Sequence, residues 1–98
     1  MRKAARVDSN QPRIVKVLRA LGCEVFPSHQ LGKGFPDLVV AVNDNRVLLI
    51  EIKDGAKPPS ARKLTPDEEA FAARFPVEVI ETEEQAIALV QRVRREAA

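Results

Sequence analysis

Residues 35–53 read FPDLVVAVNDNRVLLIEIK, with two apolar runs of strand length on either side of a short polar turn. This pattern is typical of a β-hairpin. Each run is apolar at nearly every position, which predicts that both faces of the hairpin are covered. Three ionisable residues nevertheless interrupt it, Asp37 at its start and Glu51 and Lys53 at its end. Because charged side chains are costly in a dry sheet, these three are candidates for a functional role.

The length of the turn decides whether the charged residues meet. If the turn consists of residues 43–45, the numbers of facing residues add up to 88, and Asp37 faces Glu51. Their Cβ atoms are then about 5 Å apart on one face, which Lys53 shares because it lies two residues further along the strand. A two-residue turn changes the sum to 89 and sends the two carboxylates to opposite faces. We therefore expect a three-residue turn, or a bulge that compensates for a shorter one.

Composition places the chain among ordinary globular proteins. It has 98 residues, 45% of them hydrophobic and 31% charged, which suits one domain with a modest core. A net charge of +2 is compatible with a polyanionic partner without requiring one. The single cysteine, Cys23, excludes an internal disulfide and is expected to be a small buried hydrophobe. The sequence shows no membrane-spanning run and no signal peptide, so we expect a cytoplasmic protein.

The segments before the hairpin predict an arm, a helix, a strand and a loop. Residues 1–7 carry three basic residues and are expected to form a flexible basic arm. Apolar residues recur at helical spacing within residues 14–21, and a short strand over residues 23–27 follows. The loop over residues 28–34 has two glycines that allow close backbone approach. Its Lys33 is a candidate for contacting a phosphate of DNA.

The segments after the hairpin complete an α/β pattern. Residues 54–63 form a basic loop, whose expected phosphate-contacting residues are Lys57, Arg62 and Lys63. Thr65 and Glu68 have the spacing of a capping box at the start of a helix. A strand over residues 77–81 and a last helix beginning at Thr82 follow. The predicted order is α-β-β-β-α-β-α, a single α/β domain over residues 1–98 with a mixed sheet of about four strands and helices on both faces.

The charged cluster suggests metal-dependent chemistry. Two carboxylates held close together repel each other, and a divalent cation such as Mg²⁺ or Mn²⁺ relieves that repulsion. Such a cation can polarise a phosphoryl oxygen and activate a water molecule. The amine of Lys53 can orient this water and help deprotonate it, or stabilise negative charge in the transition state. Together with a basic loop, the cluster is suited to hydrolysis of a phosphodiester.

The same residues resemble a known nuclease signature. Residues 36–38 read PDL and residues 51–53 read EIK, which matches the PD-(D/E)xK pattern of a large nuclease superfamily. The chain also resembles the VRR-NUC family of that superfamily in three longer stretches, which read GKGFPDLVV, LLIEIKDG and LTPDE. The family includes small stand-alone phage nucleases and the nuclease domain of a eukaryotic crosslink-repair enzyme. The resemblance covers roughly residues 8–82 and implies a restriction-endonuclease-like core, in a layout similar to that of archaeal Holliday junction resolvases.

The resemblance implies a role for each residue of the cluster. Asp37 and Glu51 match the metal-binding carboxylates of the family, and the backbone carbonyl of Ile52 matches a further metal ligand. Lys53 matches the catalytic lysine. The family commonly has a glutamate in its first helix, where this chain has Gln11. A neutral amide can hydrogen-bond a metal-bound water but brings no negative charge, which favours one metal ion over two.

The implied activity is that of a Mg²⁺- or Mn²⁺-dependent, structure-specific DNA endonuclease. The resemblance points to four-way junctions or flaps as substrates and to a homodimer, in the host cytoplasm if a phage encodes the protein. Two alternatives to this activity stay open. In the first, the chain is a catalytically inactive nucleic-acid-binding module on the nuclease fold. In the second, it is a nuclease that acts on RNA or plain duplex DNA.

Overall fold

The computed structural model describes residues 7–43 and 45–97 of the chain. Over these residues it has three α-helices and four β-strands, and it confirms the predicted order α-β-β-β-α-β-α. The elements are α1 (Gln11–Ala20), β1 (Glu24–Pro27), β2 (Leu38–Asn43), β3 (Arg46–Ile52), α2 (Pro66–Ala72), β4 (Glu78–Ile80) and α3 (Glu83–Ala97). The predicted basic arm lies outside the described residues apart from Val7.

The four strands form one mixed sheet in the order β1-β2-β3-β4. The first three strands pair antiparallel, as short connections allow, and β4 joins β3 in parallel. A parallel neighbour requires a longer crossover connection, which here contains α2. The predicted α/β class with a mixed sheet of about four strands flanked by helices is therefore confirmed.

The start of α2 has the predicted capping box, whereas the start of α1 has no side-chain cap. At α2, Thr65 Oγ1 accepts a hydrogen bond from Glu68 N at 3.2 Å and Glu68 Oε1 accepts one from Thr65 N at 2.9 Å, which confirms the capping box. At α1, Asn10 occupies the N-cap position without capping the helix. Its side-chain amide donates instead to the backbone carbonyls of Lys53 and Glu81, both at 3.0 Å, and so attaches α1 to the sheet. None of the helices in the described part of the chain is both long and apolar enough to cross a membrane.

The hydrophobic core lies between α1, α3 and one face of the sheet. Alternate residues of β2 and β3 point into it, because successive side chains of a strand lie on opposite faces. Each large apolar side chain that is fully buried contributes roughly 1.5–3 kcal/mol to the free energy of unfolding. Cys23 is buried in this core, as predicted. The largest aliphatic side chains that are almost completely buried are Ile14, Leu18, Leu38, Ile50, Ile52, Val40, Val90 and Val93.

The opposite face of the sheet is only partly covered, which differs from the prediction of helices on both faces. Phe26, Val47 and Val79 are exposed there. The difference arises because α1 and α3 both pack on the same face, whereas α2 is a short helix of seven residues. An apolar run in a strand does not show which of its two faces the helices will cover. We refer to the apolar residues on the partly covered side as the open sheet face, which consists of Phe26, Val39, Val47, Leu49 and Val79.

Candidate active site

The pairing of β2 with β3 places Asp37 and Glu51 at the same end of the sheet. Across residues 38–41 the numbers of facing residues add up to 88, as predicted. Next to the turn, Asn43 pairs with Arg46, and a register shift before this pair compensates for a turn shorter than three residues. Asp37 precedes β2 by one residue and faces Glu51 when the same register is continued. Strand alternation then puts both carboxyl groups on the side of the open sheet face.

The two carboxyl groups are held together in a largely dry place. Asp37 Oδ2 accepts a hydrogen bond from Ile52 N at 2.8 Å, and Glu51 is buried. Burial raises the pKa of Asp37 in spite of that hydrogen bond. Burial, followed by the negative charge of Asp37, raises the pKa of Glu51 to about 9. In the metal-free protein, burial and mutual repulsion therefore favour a proton shared by the pair over two ionised carboxylates.

Lys53 completes the predicted cluster, and a fourth residue joins it. The Nζ atom of Lys53 lies 3.7 Å from Glu51 Oε2 and 2.8 Å from Glu68 Oε1, and the residue is only 9% exposed. Burial alone would lower the pKa of Lys53, but the hydrogen bond and charge of Glu68 and the charge of Glu51 raise it overall. Lys53 is therefore an ammonium group. The sequence identified Glu68 as a capping residue and gave no sign of its contact with Lys53.

The start of α1 contacts the same end of β3. Ser9 Oγ donates to Asp54 Oδ2 at 3.2 Å, next to the bond from Asn10 to the carbonyl of Lys53. The following residue, Gln11, is only 4% exposed, although a glutamine in the first turn of a helix is usually solvated. Its Oε1 atom is buried and has no hydrogen-bond partner among the described residues. A buried oxygen without a donor is costly unless a water molecule or a ligand contacts it.

The donor set fits a hard divalent cation. Within residues 7–43 and 45–97, no group of three or more His, Cys, Asp or Glu side chains is arranged to hold a metal ion. Mg²⁺, however, is usually held by one or two protein carboxylates, with water and substrate phosphates as further ligands. Asp37 and Glu51 supply two such carboxylates, and burial, which raises the pKa of both, makes their ionised forms costly unless a cation is bound. Gln11, with its buried unpartnered oxygen, directly follows Asn10, whose side chain contacts the backbone carbonyl of Lys53.

Two of the three cations in the basic loop form ion pairs within the protein. The Nζ atom of Lys57 lies 3.6 Å from Asp8 Oδ1, and Nη1 of Arg62 lies 3.1 Å from Glu81 Oε1. Lys63 is exposed, and no ion pair of this residue is found among the described residues. Lys63 is therefore the residue of this loop best placed to contact a phosphate, and the other two would have to exchange partners.

The loop before the hairpin is packed against α2. Lys33 is exposed and adopts a left-handed conformation with φ of 55°. Gly34 also has a positive φ, of 81°, and a Cβ atom at this position would overlap the backbone of Asp67. The rings of Phe35 and Phe71 meet edge to face, with centroids 5.3 Å apart. These contacts place the start of α2 beside the charged cluster, with Lys33 at the surface next to it.

Comparison of the chain with models of protein families, with curated proteins and with solved structures found no match. The described residues form an α/β fold with an acidic pair of half-buried Asp37 and buried Glu51, an ammonium group and a further carboxylate at one end of the sheet. Any function assigned to the chain therefore depends on the chemistry of this cluster and on the resemblance of its sequence motifs.

Proposed function

We propose that this chain is a Mg²⁺- or Mn²⁺-dependent endonuclease of the VRR-NUC type that hydrolyses phosphodiester bonds in branched DNA. The observation that carries the proposal is the pairing of half-buried Asp37 with buried Glu51, with the ammonium group of Lys53 3.7 Å from Glu51. A largely buried carboxyl pair of this kind costs stability unless a cation compensates its charge. The preference for branched DNA is supported by the sequence resemblance alone. A cytoplasmic location is supported only by the sequence.

The cluster contains the groups that such a reaction requires. A bound divalent cation would polarise the phosphoryl group and acidify a water molecule. Asp37 and Glu51 would hold that cation, together with the backbone carbonyl of Ile52. Lys53 provides a fixed positive charge for the negative charge that develops on the phosphate oxygens. Gln11 can accept a hydrogen bond from water through its unpartnered oxygen and so orient it.

A nuclease assay on matched substrates tests this proposal. The substrates are a labelled four-way junction, a flap, a plain duplex and a single strand, each as DNA and RNA, with Mg²⁺, Mn²⁺ or a chelator. We expect the wild type to cut branched DNA when either metal is present and Lys53→Ala to bind it without cutting. Binding without cleavage under every condition would favour the inactive module. Faster cleavage of RNA or plain duplex would change the assigned substrate.

A homodimer is part of the proposal, because resolving a four-way junction requires two cuts. The described part of the chain offers one carboxylate pair, so a second copy would supply the second site. The open sheet face is a suitable surface for packing a second copy, because it is apolar and ends at Asp37 and Glu51. A two-fold dimer through this face would therefore bring two sites into one assembly.

We expect Val47→Glu to convert the dimer into a monomer. Val47 is 62% exposed in the open sheet face, where a new carboxylate would be buried without a partner in the dimer. Leu31→Glu is the matched control, because Leu31 is 65% exposed but lies in the loop before β2. Light scattering at working concentrations should give a dimeric mass for the control and a monomeric mass for Val47→Glu. A monomeric wild type that still cuts junctions symmetrically would contradict the dimer.

Lys63→Ala should reduce the salt dependence of DNA binding. Each phosphate contact contributes about one to the slope of log affinity against log salt concentration, so we expect a decrease of about one. Arg62→Ala should change this slope less and should lower the melting temperature, because it removes the partner of Glu81. Lys16→Ala, on the exposed side of α1, controls for the change in net charge. An unchanged slope for Lys63→Ala would mean that the loop is a connector.

A further inference from the structure

We propose that Glu68 is a positioning residue, which holds the ammonium group of Lys53 beside the carboxylate pair. The Nζ atom of Lys53 lies 2.8 Å from Glu68 Oε1 but 3.7 Å from Glu51 Oε2, so Glu68 is its closer partner. A lysine that is 9% exposed requires a charged hydrogen-bond acceptor to remain an ammonium group. In this protein Glu68 provides it.

The capping box does not explain this contact. Glu68 Oε1 accepts one hydrogen bond from Thr65 N at 2.9 Å and a second from Lys53 Nζ at 2.8 Å. Only the first belongs to the capping box, and a glutamine would make it equally well. The side chain of Glu68 is 19% exposed, and burial alone would raise its pKa. The hydrogen bond from Lys53, followed by that from Thr65, lowers this pKa, so Glu68 is a carboxylate.

The backbone around α2 keeps Glu68 in place. The close approach of Gly34 to Asp67 fixes the loop before the hairpin against the first turn of the helix. One turn further along, Phe71 packs against Phe35. Glu68 lies between these two contacts in the sequence of the helix. Its carboxylate is therefore presented to Lys53 by a helix that is anchored on the candidate active site.

The role of Glu68 matters most when the site is in use, and this step depends on the proposed nuclease function. A divalent cation held by Asp37 and Glu51 would take up their negative charge and repel the ammonium group of Lys53. Glu68 would then be the remaining close carboxylate. It would keep Lys53 near the reacting phosphate, so its loss should affect the rate of the chemical step more than the binding of DNA.

Two variants separate the ion pair from the helix cap. Glu68→Gln keeps the acceptor for Thr65 N and removes the charge that holds Lys53. Thr65→Ala removes the hydroxyl that caps the helix and keeps the carboxylate of Glu68. The first measurement is the rate at which acetic anhydride acetylates Lys53 in the metal-free protein, read by peptide mass spectrometry. The rates at Lys57 and Lys63 provide internal references, since both side chains are exposed.

We expect Glu68→Gln to accelerate acetylation of Lys53 by about tenfold, because the loss of one charge-assisted hydrogen bond changes an equilibrium by about this factor. Thr65→Ala should stay within about twofold of the wild type. An unchanged rate in Glu68→Gln would overturn the proposal. An equal acceleration in both variants would also overturn it, because the helix cap and not the ion pair would then control Lys53.

The second measurement is cleavage of the four-way junction with Mn²⁺. Glu68→Gln should lower kcat by about 10- to 100-fold and leave KM within about twofold, whereas Thr65→Ala should cut nearly as fast as the wild type. A wild-type kcat in Glu68→Gln would reject the positioning role. A wild type that cuts none of the substrates would reject the nuclease function, and the acetylation rates would still decide whether Glu68 holds Lys53.

Discussion

Asp37→Asn should lower the rate of DNA cleavage by about a hundredfold or more and leave the metal-free protein at least as stable as the wild type. Most substitutions in a buried sheet destabilise the protein. Unchanged or higher stability of the metal-free variant would therefore distinguish a metal-binding carboxylate from a structural one. Asparagine keeps an oxygen that can accept the hydrogen bond from Ile52 N, and it removes the partly buried charge of Asp37, which burial disfavours and which raises the pKa of Glu51. We expect an increase in the free energy of unfolding of up to about 1 kcal/mol.

Metal should act differently on the two proteins. Mn²⁺ at a hundredfold excess over its dissociation constant would stabilise the wild type by about 2.7 kcal/mol through mass action. Asp37→Asn lacks one of two carboxylate ligands and should be nearly unaffected. Its cleavage rate should fall by about a hundredfold or more, since the cation that stabilises the transition state is no longer held. Melting curves and junction cleavage, each with and without Mn²⁺, measure both effects.

Asp67→Asn provides the control for this experiment. Asp67 is exposed in the first turn of α2, where its charge favours the helix by only a few tenths of a kcal/mol to about 1 kcal/mol. This variant should retain both cleavage and stabilisation by Mn²⁺. A destabilised Asp37→Asn, together with a wild type that does not respond to metal, would end the nuclease interpretation. Asp37 would then be a residue that serves stability through its bond to Ile52 N.

The hairpin could be predicted because its information is local. Alternation along two adjacent strands and the length of one turn decide whether Asp37 and Glu51 share a face, and both can be read from the sequence. The sequence allows two forms of the turn, a three-residue turn or a shorter one with a compensating bulge. The structure has the bulge that was predicted as the alternative to a three-residue turn. The capping box of Thr65 and Glu68 was predictable for the same reason, since its members lie three residues apart.

The remaining features of the site depend on contacts between distant segments. Glu68 reaches Lys53 because Gly34 and Phe35 place α2 there, and no periodicity in the sequence encodes that placement. Gln11 is buried because the preceding Asn10 attaches the start of α1 to the sheet instead of capping the helix. The open sheet face was missed because an apolar strand has the same pattern whether one or both of its faces are covered by helices.

Glu51→Gln should make the protein more stable than the wild type at alkaline pH and should have little effect near pH 4. Burial and the charge of Asp37 raise the pKa of Glu51 from 4.5 to about 9 in the folded protein. Between these two values, the folded protein binds a proton that the unfolded chain releases. The stability of the wild type therefore falls as the pH rises from about 4.5 to about 9, by at most about 1.4 kcal/mol per pH unit.

Glutamine removes this dependence on pH without removing the contact. Its amide can donate a hydrogen bond to Asp37 as the protonated carboxyl group does, and it has no proton to lose. We expect the variant to exceed the wild type by one to several kcal/mol at pH 9. Urea unfolding at pH 4.5, 7 and 9 measures the difference, and Glu69→Gln on the exposed side of α2 is the matched control.

Metal gives the experiment a second, independent result. A divalent cation requires Glu51 to be ionised, so saturating Mg²⁺ should restore the stability of the wild type at pH 9 and should barely affect Glu51→Gln. The control Glu69→Gln should follow the wild type under both conditions. Parallel pH profiles for wild type and Glu51→Gln would show that Glu51 ionises as freely in the folded protein as in the unfolded chain. The acidic pair would then carry no uncompensated charge, and the physical reason for placing a cation between Asp37 and Glu51 would be lost.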